Sequence, residues 1–133
     1  MTQGERAARI VAAARAMMGT PFRLHGRGGD GIDCVGLAAV ALRAAGHVGP
    51  VPRAYGLRSG DAGRARDWLA AAGLNPVGKP MPGDLALVRP GPMQLHLMIH
   101  VPGGFVHAHA GLGRVVEMPG ACPWPSMGHW RAG

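Results

Sequence analysis

The sequence predicts an α+β fold, with helices in the first half of the chain and an antiparallel sheet in the second. Up to residue 72, apolar residues recur at helical spacing between N-cap residues and terminating glycines. After residue 80, short apolar segments alternate with Pro-Gly turns, which is typical of an antiparallel meander. Because helices and strands are segregated along the chain, α+β is favoured over α/β. The length of 133 residues suits a single domain spanning 1–133.

Composition limits the classes of partner. Hydrophobic residues make up 47% of the chain and charged residues 16%, so a packed core is expected. The formal charge is +7, but the arginines are scattered and form no basic run with interleaved aromatic residues. We therefore expect no nucleic-acid partner, whereas an anionic cell-wall polymer fits the charge. The two cysteines, Cys34 and Cys122, do not form a disulfide framework.

The sequence also bears on location. No apolar run approaches membrane-spanning length, so no membrane partner is expected. The N-terminal residues show no apolar segment after a basic one, so no signal peptide is expected. The prediction is a protein that is cytoplasmic as synthesised and acts outside the cytoplasm only if something else delivers it.

Three helices are predicted. The first spans Thr2–Met18 and ends at Gly19; Pro21 keeps the following residues extended. A glycine-rich loop, Gly26–Gly31, precedes the second helix. The second helix spans Cys34–Ala45, with Asp33 as N-cap and Gly46 as C-cap.

The third helix follows a long predicted loop, Val48–Gly60. Asp61 caps this helix, Ala62–Ala72, and Gly73 ends it. Tyr55 in the loop either lines a cleft or anchors the loop to the surface.

Four strands are predicted after the helices, in the segments Leu85–Arg89, Leu95–Val101, Phe105–Ala110 and Arg114–Met118. Proline-glycine turns separate them, and Pro90 is expected to end the first. Residues 119–133 are expected to be irregular, packed onto the body by Trp124 and Trp130.

Cys34 is the first candidate for chemistry. It lies in the first turn of the second helix, where the positive end of the helix dipole favours a thiolate. We therefore expect a lowered pKa for the Cys34 thiol. The alternative is a small buried core cysteine without a reaction.

Histidines on two predicted strands supply the second part of a site. Alternate residues of a strand share a face, so His96 and His100 lie together, as do His107 and His109. A short hairpin makes these faces neighbours, with His96 opposite or diagonal to His107. This arrangement suits a Cys–His pair with an orienting third residue.

The remaining histidines have simpler interpretations. His100 and His109 are expected to be solvated, and surface positions in loops are expected for His25, His47 and His129. A zinc hydrolase built on the histidine face is an alternative, but no cysteine or carboxylate stands at a ligand spacing beside it. We expect no metal and no cofactor.

Together these residues resemble the NlpC/P60 cysteine peptidases of bacterial cell-wall turnover, a papain-like α+β family. Six blocks carry the resemblance in the family's order: Gly19–Phe22, Gly28–Gly29, Asp33–Leu37, Pro82–Leu85, His96–Ile99 and Phe105–Ala108. The resemblance implies N-terminal helices, including the cysteine helix, packed on a C-terminal antiparallel β-sheet.

The resemblance also implies a reaction. Cys34 would be the nucleophile, His96 the general base and acid, and His107 the orienting residue. The substrate would be an amide bond in peptidoglycan stem peptides, typically between the γ-carboxyl of D-glutamate and diaminopimelate. The Cys34 backbone N–H would hold part of the oxyanion.

Three residues are predicted to bind substrate: Phe22 and Asp33 before the cysteine, and Val35 after it. Phe22 stands where the family has tyrosine, so a donor worth about 3 kcal/mol is absent there. Val35 replaces a serine that contacts substrate in the family. Asp33 keeps the family's aspartate, which contacts a substrate amine.

Two further functions stay open. Phe22 and Val35 make an amidase or acyltransferase on a non-wall substrate an alternative. The expected lack of a signal peptide and of a wall-binding module, together with the segment Pro21–Arg27, also resembles small single-domain members from prophages and phage-like particles. This likeness suggests tail or particle proteins as partners and delivery to the periplasm or cell wall by such a particle. A non-catalytic structural subunit is the remaining alternative.

Overall fold

The computed structural model describes residues 1–49 and 60–133. Most of the predicted loop Val48–Gly60, including Tyr55, lies outside the described residues. The helices are α1 (Gln3–Ala16), α2 (Cys34–Ala44) and α3 (Ala62–Ala71). The strands are β1 (Arg27–Gly28), β2 (Gly31–Ile32), β3 (Asn75–Val77), β4 (Leu85–Gly91), β5 (Gln94–Val101), β6 (Gly104–His109), β7 (Arg114–Pro119) and β8 (Ser126–Arg131).

Helices α2 and α3 begin at the predicted caps. The carboxylate of Asp33 accepts from the backbone N–H of Gly36, and that of Asp61 accepts from Arg64. The hydroxyl of Thr2 accepts from Glu5 in the same way, so Thr2 is the cap of α1 and not its first residue. None of the described helices is long and apolar enough to cross a bilayer.

Strands β3 to β8 form an antiparallel sheet in the order β3-β8-β4-β5-β6-β7. The last strand of the chain thus lies between β3 and β4. The expectation that residues 119–133 are irregular is wrong, because Ser126–Arg131 pair with β4. The Arg131 guanidinium holds β8 in register by binding the carboxylate of Asp84 through two hydrogen bonds of 2.9 and 2.8 Å.

Two other local expectations fail. The glycine-rich run is not only a loop: Arg27 pairs with Ile32 and Gly28 with Gly31 in a small hairpin. Pro90 does not end β4, because the register shifts between Val88 and Gly91 and proline is tolerated at such a bulge.

Apolar side chains cover both faces of the sheet. On one face, α1 and α2 pack against alternate residues of β4, β5 and β6, including Leu87, Leu97 and Val106. On the other face, a smaller cluster joins Ala86, Val88, Met98 and Phe105 with Met118, Cys122 and Trp124. The segment between β7 and β8 therefore closes over the outer face, which positions Trp124 for the site described next.

Candidate active site

The start of α2 is fixed by Asp33, whose side chain is only 2% exposed. One carboxylate oxygen accepts from Gly36 N–H at 2.8 Å, and the other accepts from His25 N–H at 2.7 Å. His25 has a φ of 66°, so this second bond secures a turn that non-glycine residues rarely adopt. A Cβ atom at Gly36 would overlap the carbonyl oxygen of Gly26, so the loop and the helix need glycine there. Asp33 thereby sets the position of Cys34.

Cys34 lines a cleft of about 610 Å³ together with His96. Burial raises the pKa of the thiol to about 11, although a backbone hydrogen bond from Leu97 opposes the shift. The expectation of a lowered pKa is therefore wrong, because desolvation beside the sheet outweighs the helix N-terminus. The thiol is therefore protonated at neutral pH.

His96 on β5 and His107 on β6 form a hydrogen-bonded pair, with 2.9 Å between Nε2 of His96 and Nδ1 of His107. The register pairs Ile99 with Val106, and continuing it sets His107 across from Met98. The two histidines are thus diagonal neighbours on one face, as the sequence predicted.

The pair is electrically neutral at pH 7. Burial, followed by the charges of His107 and His109, lowers the pKa of His96 to about 3. Burial and His109 lower the pKa of His107 to about 4, and the His107 side chain is 1% exposed. Because Nε2 of His96 is bonded to His107, Nδ1 of His96 is the nitrogen left to take a proton from a thiol in the same cleft.

Trp124 and His109 also line the cleft, although the sequence analysis assigned neither of them to the site. The Trp124 ring lies edge-on to His96 and His107, at centroid distances of 6.2 and 5.9 Å, and lines the cleft. His109 lines the same cleft and is half-buried. No local pattern indicated Trp124, because it lies far along the chain from His96 and His107. The spacing of two residues between His107 and His109 in one strand did indicate that they share a face.

His25 is exposed, as expected, whereas His47, His100 and His129 are partly buried. His100 binds His129 through Nε2 and Nδ1 at 2.9 Å, packs on Phe105, and is half-buried. Its expected solvation, like that of His109, is therefore wrong. His129 lies in β8 and not in a loop, and the ring of His47 hydrogen-bonds the carbonyl oxygen of Ala72.

The predicted substrate-binding residues occupy different places. Phe22 and Asp33 line the cleft. Val35 is 1% exposed and packs in the core beneath α2, so its side chain offers no contact to a molecule in the cleft. Among residues 1–49 and 60–133, no group of three or more His, Cys, Asp or Glu side chains is arranged to hold a metal ion.

No protein-family model and no curated protein matches the chain. Solved structures share its fold. NlpC1 from Trichomonas vaginalis superimposes with a TM-score of 0.70 at 20% identity, over 93% of this chain and 44% of that protein. The P60 domain of an antigen from M. avium subspecies paratuberculosis superimposes with a TM-score of 0.62 at 23% identity, over 98% of this chain and 96% of that domain.

The peptidoglycan hydrolase RipB from Mycobacterium tuberculosis gives a TM-score of 0.65 at 24% identity, over 97% of this chain and 65% of RipB. The chain thus spans less than half of the Trichomonas protein and about two thirds of RipB. These likenesses confirm the predicted α+β, papain-like architecture.

Proposed function

We propose that this chain, whose fold is that of the NlpC/P60 proteins, is a peptidoglycan hydrolase with Cys34 as its nucleophile. The observation that carries the proposal is the shared cleft of Cys34 and His96, with His96 tied through Nε2 to a buried His107. A nucleophile, a base and an orienting group in this order are what acyl transfer requires. The description of RipB as a peptidoglycan hydrolase supports the substrate class.

The reaction starts from neutral groups. Nδ1 of His96 takes the thiol proton as Sγ of Cys34 attacks the carbonyl carbon of the amide. The new imidazolium keeps its Nε2–H on Nδ1 of His107, which fixes the ring orientation during the transfer. The developing oxyanion lies near the start of α2, where the Cys34 backbone N–H donates.

The intermediate then collapses. The C–N bond breaks, and the imidazolium of His96 gives its proton to the departing amine, leaving a thioester on Cys34. A water molecule attacks the thioester while His96 takes one of its protons, and Cys34 leaves as the thiol after receiving that proton. The products are a carboxylic acid and an amine, as in hydrolysis between the γ-carboxyl of D-glutamate and diaminopimelate.

A second candidate, an amidase or acyltransferase on a non-wall substrate, is favoured by the lining of the cleft. Phe22, Leu24 and Met93 give it an apolar character, and Leu24 and Met93 are exposed. Partners from phage-like particles and delivery by such a particle stay predictions.

The test is digestion of stem peptides and intact peptidoglycan, with products identified by mass spectrometry. We expect a new amine terminus at one amide bond with the unmodified chain and none with Cys34→Ala. Cys122→Ser, at the other cysteine, is the matched control and should cleave normally. Cleavage by Cys34→Ala, or no cleavage by the unmodified chain, contradicts the proposal; turnover of non-wall amides alone favours the second candidate.

A further inference from the structure

We infer that His109 is a substrate-positioning residue whose Nε2–H donates a hydrogen bond to an oxygen atom of the bound peptide. The inference rests on the proposed function and adds to it a residue outside the Cys34, His96 and His107 set. It starts from the position of His109 at the end of β6, two residues after His107 and on the same face of the strand. The His109 side chain lines the cleft that holds Cys34.

The backbone fixes which nitrogen of His109 carries the proton. Nδ1 accepts a hydrogen bond of 3.0 Å from the backbone N–H of Leu112. An imidazole nitrogen that accepts has no hydrogen, so the neutral ring carries its proton on Nε2. His109 is therefore a hydrogen-bond donor at Nε2, whatever occupies the cleft.

The turn after β6 also fixes where the ring lies. The carbonyl oxygen of His109 accepts from Gly113 N–H at 2.8 Å, and Gly113 has a φ of 73°. A Cβ atom at Gly111 would come within 2.9 Å of Cε1 of His109, so a glycine leaves room for the ring. On its other side, the ring packs against His107 with 5.3 Å between centroids. A donor held this way loses little conformational entropy when a ligand binds.

Among the other polar side chains lining the described cleft, three are already committed and Gln94 is exposed. Both oxygens of Asp33 accept from backbone N–H groups, and Cys34 and His96 carry out the chemistry. Gln94 lines the cleft from an exposed position at the start of β5. Phe22 has no donor to offer, so His109 and the indole of Trp124 are the side chains left to donate to substrate, and the Leu112 N–H fixes the tautomer of His109. A peptide presents carbonyl and carboxylate oxygens, and either one is a suitable acceptor.

Capping the turn accounts for Nδ1 of His109 but leaves Nε2 without a role. One substitution separates the turn cap at Nδ1 from the proposed donor at Nε2. In His109→Asn, the side-chain oxygen lies where Nδ1 was and still accepts from Leu112, whereas the Nε2 donor is removed. His109→Ala removes both and shows the cost of losing the turn cap.

The experiment measures hydrolysis of a stem peptide by the unmodified chain and both variants. We expect His109→Asn to lower kcat/KM about five- to tenfold, the value of one neutral hydrogen bond. The loss should lie mostly in KM, with the melting temperature within about 2 °C of the unmodified chain. A peptide with amidated carboxylates distinguishes the acceptors: an unchanged effect assigns the bond to a peptide carbonyl, and a smaller effect assigns it to a carboxylate.

If the unmodified chain is active and His109→Asn has the same kcat/KM, the positioning role is overturned and the proposed function is not. If the unmodified chain cleaves no stem peptide, the proposed function fails and the role fails with it. A ¹⁵N NMR spectrum gives an independent readout: we expect the Nε2–H tautomer of His109, and an Nδ1–H tautomer overturns the inference without reference to activity.

Discussion

Cys34 and His96, the proposed nucleophile and its proposed base, are both neutral at pH 7. The pKa of Cys34 is raised to about 11 and that of His96 is lowered to about 3, in each case mainly by burial. A preformed thiolate–imidazolium pair requires the opposite order of these pKa values. In the proposed reaction, we therefore expect proton transfer to accompany attack on the substrate and not to precede it.

Alkylation of Cys34 tests whether its pKa lies above that of His96. In Cys122→Ser, which leaves one thiol, we expect iodoacetamide to react slowly at pH 7 because little thiolate is present. The rate should rise about tenfold per pH unit and level off near pH 11, where half of the thiol is ionised. The measurement is loss of free thiol against pH, with circular dichroism recorded at each pH to verify folding. A fast rate that is constant from pH 5 to 9 would show a preformed ion pair.

In the proposed reaction, His107 acts through one nitrogen, and two variants test this role. Its Nδ1 faces Nε2 of His96, so the oxygen of an asparagine side chain can replace it as acceptor. We expect His107→Asn to keep kcat within about tenfold of the unmodified chain, because the His96 ring stays oriented. His107→Leu leaves the His96 N–H without a partner, and we expect kcat to fall about 100-fold or more.

The comparison of these variants uses steady-state kinetics on one stem peptide, with melting temperatures as the control for folding. Equal loss in both variants would mean that His107 contributes by filling space and not as an acceptor.

The sequence was sufficient to predict that His96 and His107 lie side by side, but not the direction in which the pKa of Cys34 is shifted. A strand period of two residues and a short hairpin bring His96 and His107 together, and both features are local. The pKa of Cys34 depends on how deeply the start of α2 packs against β5, which is a contact between distant segments. Trp124 reaches the histidines by the same kind of long-range packing.

At the level of elements, the helices were predictable because their caps are local. Asp33 and Asp61 mark their helices by type and position, and both cap as expected. Strand β8 was not predictable: Pro123 and Pro125 precede it, and its partner β4 lies some 40 residues earlier. The Asp84–Arg131 ion pair adds a side-chain contact between β8 and the start of β4, and no periodicity reveals it.

Asp33 links the helix start to the preceding turn, and its variants separate those two contacts. Asp33→Asn keeps one oxygen acceptor for Gly36 but loses the bond to His25, and we expect a loss of about 1 kcal/mol in the free energy of unfolding. Asp33→Ala loses the N-cap as well, and we expect about 2–3 kcal/mol. Urea denaturation of the two variants measures both values. A loss below about 0.5 kcal/mol in Asp33→Ala would show that Asp33 does not hold the helix start.

At the level of the whole molecule, two histidine pairs lie on the same outer face of the sheet. His96 pairs with His107 at the cleft, and His100 pairs with His129 across Ala86 of the intervening strand. Burial lowers the pKa of His100 to about 4, and it also lowers the pKa of His129. Each pair is stable as neutral rings sharing a hydrogen bond, and protonation of both rings would place two positive charges side by side in a chain of formal charge +7.

This arrangement makes the fold sensitive to acid. In the unfolded chain, histidine titrates near pH 6.5, whereas His96, His100 and His107 titrate at about 3 to 4 when folded. Between these values the unfolded state binds more protons, so the stabilisation is complete above pH 6.5 and falls as the pH drops towards 4. One ring contributes at most about 1.4 kcal/mol per pH unit, and solvent screening reduces the share of the half-buried His100.

We therefore expect the urea midpoint to fall steadily from pH 7 to pH 5, in a set of denaturation curves at constant ionic strength. The matched variant is His129→Asn, whose side-chain oxygen still accepts from His100 but cannot be protonated in this range. The remaining ring, His100, still titrates, so the slope in this variant should be shallower and not absent. A midpoint that is constant between pH 7 and pH 5 in the unmodified chain would mean that the buried rings already carry their protons in the folded state, and the neutral starting pair of the proposed reaction would be wrong as well.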